Sequence, residues 1–353
     1  MQRWATRKSS YICGALALSV AVSTFNIAKA DEGGVSLWIP GFFGSLAATP
    51  STPGFSFAAI YYHTSVTAGA DVAFARQVHR GNLNVPFSGN VDINLKARAD
   101  LGMGVVSYVL TDKIFGAQAA FALLVPYGRS FGEVDGTLNG IIGPIGFTVS
   151  GSRSDSVTGF ADLGPMFSLK WNEGVHNYMA YVTGNIQAGR YDPNRLANLG
   201  LGHQGFDAGG GYTYFNPQTG YEFSSVVGLT YNFENSDTNY RSGIDMHWDW
   251  GASRFLTKEW QIGLVGYAYQ QLTCDSGSGD RVGCFKSRVM GIGPQIGHVF
   301  KISEGYQGYV NLKGYGEFAA AHRPEGWNVW LTFAISPAAP EPAAPAMRPR
   351  IVK

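Results

Sequence analysis

The stretch Val91 to Val105, VDINLKARADLGMGV, alternates through most of its length. Val91, Ile93, Leu95, Ala97, Ala99, Leu101, Met103 and Val105 are apolar, while Asp92, Asn94, Lys96, Arg98 and Asp100 between them are polar. Such alternation marks a strand, whose successive side chains point to opposite faces; a helix would scatter it around its circumference. Strands of soluble domains average about five or six residues. An apolar face this long needs an equally tall partner, and a bilayer offers one to strands of roughly 9–11 tilted residues. The pattern therefore predicts lipid against the odd positions and a hydrated, charged lumen against the even ones.

Residues 1–30 carry Arg3, Arg7 and Lys8, then an uncharged run from Tyr11 to Phe25, then Ala28, Lys29 and Ala30 before Asp31. That is the layout of a cleaved secretory signal peptide. Its removal leaves 22 basic against 25 acidic residues, so no basic footprint for nucleic acid remains. After the signal, the longest uncharged stretch runs from Gly33 to Ala70 and is interrupted by Pro40, Pro50 and Pro53, which leaves no spanning helix. Only helices and closed barrels pair every backbone group inside lipid. The expected fold is thus all-β: a transmembrane antiparallel β-barrel of a Gram-negative outer membrane.

Strands are expected near 54–66, 91–110, 116–128, 156–170, 176–190, 208–215, 221–233, 244–256, 260–273, 286–301, 307–320 and 327–336. Long and short connections alternate between them, as in bacterial barrels. Residues 129–155 hold a further plausible hairpin, placed outside the membrane. The organisation that follows is a signal over 1–30, a plug-like segment over 31–53, a barrel of about twelve strands over 54–336, and a Pro/Ala-rich periplasmic tail over 337–353.

Strand parity assigns the lumen. Asp92, Lys96, Arg98 and Asp100 are expected to face inward, as are Asp245, His247 and Asp249, with Ile244, Met246, Trp248 and Trp250 outward. Toward the C-terminus, Lys313 and Glu317 are expected inward; Asp162 and Lys170 join the same ring. Its mixed signs fit cross-strand pairing that shapes the barrel, and equally a substrate path. The segment before the first strand carries Trp38, Phe42 and Phe43 among other apolar residues, too much surface to leave in water. Its two possible burial sites are the lumen, where it would act as a plug, and an interface with another chain.

Catalytic and metal motifs are absent: there is no G-x-S-x-G, no H-E-x-x-H and no phosphate loop. No cofactor is expected. Cys274 and Cys284 bracket the loop CDSGSGDRVGC, where an oxidising compartment favours a disulfide over free thiols. Asp275 and Asp280 in that loop fall short of a calcium ligand set.

Longer passages carry a resemblance. They include LWIPGFFGSLAA, INLKARAD, WNEGVHNYMAYVTGNIQAGRYDPNRLANLG, GGGYTYFNPQTGYEFS and GWNVWLTFAISPA. From about Val35 to Pro337 the chain resembles the outer-membrane transporter family linked to the meta-pathway of phenol degradation, close to the sphingosine-induced outer-membrane proteins of proteobacteria. The resemblance implies a barrel related in role to channels for long-chain fatty acids and aromatic hydrocarbons, and it carries over no site residues. The expected activity is passive uptake of small hydrophobic or aromatic solutes, with the bilayer as the other partner. A non-transporting surface protein that binds a partner through loops 67–90 and 129–155 is the alternative, and a lipid-acting enzyme a third.

Overall fold

The computed structural model describes residues 36–69, 88–142, 145–280, 284 and 286–338. The expected signal peptide, the tip of loop 67–90 and nearly all of the expected tail lie outside the described residues. Thirteen strands follow one another: β1 (Gly54–Ala68), β2 (Ser88–Ile114), β3 (Ala117–Ile142), β4 (Ile145–Phe160), β5 (Gly164–Glu173), β6 (His176–Gly184), β7 (Gly205–Phe215), β8 (Tyr221–Asn232), β9 (Asp245–Phe255), β10 (Trp260–Gln271), β11 (Arg288–Lys301), β12 (Tyr306–Ala321) and β13 (Glu325–Pro337). All pairings are antiparallel. β1 pairs with β13 from Phe57↔Ile335 to Thr67↔Glu325, and β2 with β3, which together close the wall. β3 pairs with β5 over Gln118–Leu124, then leaves it to pair with β4 from Tyr127 onward. Twelve strands therefore form the closed wall. β4 is extra, and it occupies the region of the hairpin expected within 129–155.

Local chemistry sets the turns. Between β2 and β3, Phe115 and Gly116 both have positive φ (53° and 76°), as a two-residue type I′ hairpin requires. Between β7 and β8, the Asn216 carboxamide accepts from the backbone N–H of Gln218 and Thr219, and Gly220 turns at φ 75°. The strand expected over 156–170 splits at Ala161–Leu163. There the Asp162 carboxylate accepts from the backbone N–H of Gly189 (2.9 Å) and Leu201 (3.1 Å) and from Asn185 Nδ2 (2.8 Å), tying the wall to the long 185–204 connection.

The outward face is an apolar belt. Phe55, Phe57 and Tyr61 on β1, Val106 and Tyr108 on β2, Phe223 and Leu229 on β8, and Leu331 and Phe333 on β13 are all exposed. From Phe55 to Tyr61 the belt climbs about 20 Å along the strand, close to the roughly 25 Å apolar band of outer-membrane barrels. The inward face is buried and largely polar, with Thr213, Glu222, Ser224, Asp249, Ser253 and Gln261 among its members.

Strand β2 corrects the parity expected for it. Leu101 (8% exposed) and Met103 (2%) turn inward and pack with Tyr62, Tyr315 and Trp330, while Gly102, Gly104, Val106 and Tyr108 face lipid. Asp92, Lys96, Arg98 and Asp100 consequently lie on the outer face and do not line the lumen: Lys96 is 48% and Asp100 49% exposed. Length explains the inversion. β2 has 27 residues, far more than a bilayer needs, and its charged part stands beyond the belt beside β3 and β4. Water, not lumen, solvates those charges; Lys96 also pairs with Asp135 (3.7 Å) across the strands.

Candidate functional site

The segment that precedes β1 lies inside the barrel. It carries backbone groups that a strand would have paired with neighbours, so the wall must supply the partners. It does so from the polar inward face. The Asp249 carboxylate accepts from Trp38 Nε1 (3.0 Å) and from the Gly41 N–H (2.8 Å). Lys313 Nζ donates to the carbonyls of Gly41 (2.5 Å), Phe42 (3.1 Å) and Phe43 (3.2 Å). Glu222 Oε1 accepts from the Leu46 N–H (2.9 Å), and Thr213 Oγ1 from the Ala48 N–H (3.0 Å). Lys170 Nζ reaches the Thr49 carbonyl (3.2 Å).

Beneath this backbone runs a dense polar layer. Trp38 stacks on the His247 imidazole, ring centroids 3.8 Å apart and planes 9° from parallel. His247 Nε2 lies 3.0 Å from the Tyr181 hydroxyl and 3.2 Å from Asp207 Oδ2. Asp207 also accepts from Tyr181 (2.7 Å) and Thr230 (2.5 Å). His247, Asp207 and Asp249 are sealed from solvent, which is tolerable only because each is hydrogen-bonded. Asp245 is buried too and accepts from Asn232 Nδ2 (2.9 Å). Glu317 is inward and half-buried, bound by the Tyr267 hydroxyl (2.6 Å) and the Gly326 N–H (2.9 Å).

Phe42 and Phe43 flank Trp38, at centroid distances of 5.6 and 5.2 Å, and Phe42 also meets Trp330. Between this aromatic group and the β1–β3 wall opens a cavity of about 380 Å³. Its lining is mainly apolar: Trp38, Ile39 and Phe42 from the segment, Tyr62 and Leu101 from the wall, and Leu196 and Leu199 from the 185–204 connection. Its polar members include Glu317, Arg323 and Asn328 beside the β12–β13 turn and Asp162, Asn185 and Asn198 at the 185–204 connection. The connection is held in place by Arg195, whose Nη2 and Nε bind the Asp155 carboxylate at 2.6 and 3.0 Å.

A disulfide joins Cys274 and Cys284. Asp275 ties its loop to the neighbouring β8–β9 connection, accepting from the Gly243 N–H and the Tyr240 hydroxyl there and from Gln271 Nε2 at the end of β10. Among the described residues, no group of three His, Cys, Asp or Glu side chains is arranged for a metal ion.

Sequence reading missed Glu222, Asp207 and Arg323. Glu222 was legible, since YEFSSV alternates and puts it opposite the outward Tyr221 and Phe223. Asp207 falls one residue before the strand expected at 208. Arg323 sits in a short turn with no pattern to reveal its direction.

A family model described as "Putative MetA-pathway of phenol degradation" matches residues 80–333. No curated protein matches the sequence. Among solved structures, the chain is similar to an outer membrane channel from Pseudomonas putida F1, with TM-score 0.57, 13% identity, and coverage of 85% of this chain and 100% of that one. A FadL homologue from Pseudomonas aeruginosa gives TM-score 0.39, 9% identity, and coverage of 88% and 97%. At these identities the likeness to the first concerns the fold; the second is too distant to support an argument.

Proposed function

This chain belongs to the MetA-pathway phenol-degradation family, and from that premise we propose that it is an outer-membrane channel for passive uptake of small hydrophobic or aromatic compounds. The observation that carries this reading is the apolar cavity of about 380 Å³ between the inserted segment and the wall. It falls in the size range of small-molecule sites, and its aromatic lining suits flat apolar solutes. Residues 31–53 act as a plug. Trp38, Phe42 and Phe43 form its solute-contacting surface, and Asp249 and Lys313 hold its backbone. His247 supports Trp38 from below, and Asp245 and Glu317 complete the polar lumen. Export by a cleaved signal and a periplasmic tail belong to the same reading.

A twelve-stranded lumen filled by a plug is too narrow for bulk water flow, which suits a path for apolar solutes better than a general pore. The test uses vesicles with a lipopolysaccharide outer leaflet, through which apolar probes diffuse slowly. A fluorescent naphthylamine should enter faster when the protein is present, and Ala122→Trp, which fills the cavity, should abolish the gain. Entry equal to that of empty vesicles, while a control channel conducts, would sink the reading.

A second reading has its own observation. β2, β3 and β4 project beyond the lipid belt as a charged three-stranded sheet, a surface on which an external partner could dock. Enzyme chemistry has no comparable support: His247 is covered by Trp38 and engaged by Tyr181 and Asp207.

A further inference from the structure

The turn between β12 and β13 sends Arg323 into the outer end of the cavity. Its guanidinium carbon lies 4.4 Å from the centroid of the buried Tyr269 ring, so one face of the planar group is stacked. Stacking uses the face and leaves the edge donors available for an acceptor in the guanidinium plane. One of these, Nη1, is buried and has no hydrogen-bond partner.

The acids at this end of the lumen do not fill that need. Both oxygens of Glu317 are occupied, one by the Tyr267 hydroxyl and the other by the Gly326 N–H. Asp245 is held by Asn232. A buried, charged donor without an acceptor is costly, and an incoming acceptor recovers that cost. Trp38, Ile39, Phe42, Tyr62, Leu101 and Leu124 make most of the remaining lining apolar, while Asp162 and Asn185, polar members against the 185–204 connection, are already hydrogen-bonded to it. An occupant that matches this apolar lining and the Arg323 end has an apolar body and one anionic end.

We propose that the cavity selects amphipathic monocarboxylates, aromatic or aliphatic, with the apolar part against Trp38 and Leu101 and the carboxylate on Nη1 of Arg323. The inference rests on the channel reading and narrows its substrate class. Carboxylates are ionised at neutral pH whereas simple phenols are not, so the site discriminates between two classes of aromatic solute.

The test uses the full chain in detergent-free nanodiscs and calorimetric titration at pH 7 with 4-phenylbutyrate and 4-phenylbutan-1-ol, which share a skeleton. The wild-type protein should bind the carboxylate at least tenfold more tightly than the alcohol. Arg323→Gln should erase that preference by weakening the carboxylate at least tenfold more than the alcohol; Arg323→Lys should keep part of it. Should Arg323→Gln fail to assemble, the wild-type protein still decides: its affinity for the carboxylate should fall as the ligand protonates below about pH 4.5, while that for the alcohol stays flat. Equal binding of the two probes, or a preference that survives Arg323→Gln, overturns the proposal and leaves the channel reading intact. Binding of neither probe overturns both.

Discussion

Trp38→Ala is the sharpest way to ask whether the inserted segment closes the lumen. Trp38 is 4% exposed, and its indole covers His247, touches Phe42, Phe43 and Tyr181, and donates to Asp249. Truncating a buried Trp to Ala costs about 3–5 kcal/mol. Loss of the indole N–H leaves one Asp249 oxygen without that donor and adds on the order of 1 kcal/mol. Because the cost falls on contacts between segment and wall, and the wall keeps its own strand pairing, it should appear as undocking of the segment. Each 1.4 kcal/mol is a factor of ten, so a combined cost of about 4–6 kcal/mol should raise the undocked population between several hundredfold and roughly ten-thousandfold. Planar-bilayer recordings read this directly as open events, whose amplitude should match that of a protein lacking residues 36–48. Phe57→Ala, on the lipid-facing side, is the control and should leave opening unchanged. A Trp38→Ala protein that migrates as a folded barrel yet opens no more often than wild type would refute the argument.

Lys96→Cys in intact outer membranes should react with a water-soluble maleimide while Leu95→Cys, at a buried position, stays protected. Equal labelling would contradict the orientation of β2. Met103→Arg should block assembly, since it buries an unpaired charge at a cost of several kcal/mol; heat-modifiable migration on gels checks this. The Arg195 guanidinium holds the Asp155 carboxyl below its ordinary value of 3.8. A depressed carboxyl stabilises at neutral pH and loses that contribution as pH falls below its ordinary value, so the 185–204 connection should become protease-sensitive only under acid conditions, and Asp155→Asn should show that sensitivity at pH 7. Reducing Cys274–Cys284 should expose the 272–287 loop to proteolysis and leave the heat resistance of the barrel unaltered. The closed loop of about ten residues is worth a little under 3 kcal/mol at most, and its constraint is local.

Most of the wall was legible because lipid imposes a simple demand: an apolar residue at every second position. β7 to β13 follow it, and their expected bounds fall within three residues of those observed. β2 misled because its alternation is real but serves two environments. From Leu101 to Val105 the apolar side packs against Tyr62 and Trp330, while glycines and small side chains suffice on the lipid side. From Asp100 back toward Ser88 the strand stands outside the lipid belt, and charge on the outer face has no penalty there. The split between β4 and β5 was hidden for a different reason. It depends on Asp162 receiving backbone donors from Gly189 and Leu201, residues distant in sequence whose approach leaves no periodic trace. Asp249 and Lys313 were placed inward by parity, but their partners were not visible: carbonyls and N–H groups of an irregular segment have no side-chain signature.

The bonds that seat the inserted segment also constrain the order in which the molecule assembles. Ala48 is fastened to Thr213, 165 residues later, and Gly41 to Lys313, 272 residues later. Long-range contacts of this kind form slowly, because loop-closure entropy opposes them before the contact rewards it. The first described residues of the chain thus wait for some of its last. The pairing of β1 with β13 has the same reach, so sealing the wall and seating the segment become late and linked events. Until they occur, Trp38, Phe42 and Phe43 have no apolar partner of their own, and a periplasmic holding chaperone would find its most adhesive target at that end of the chain.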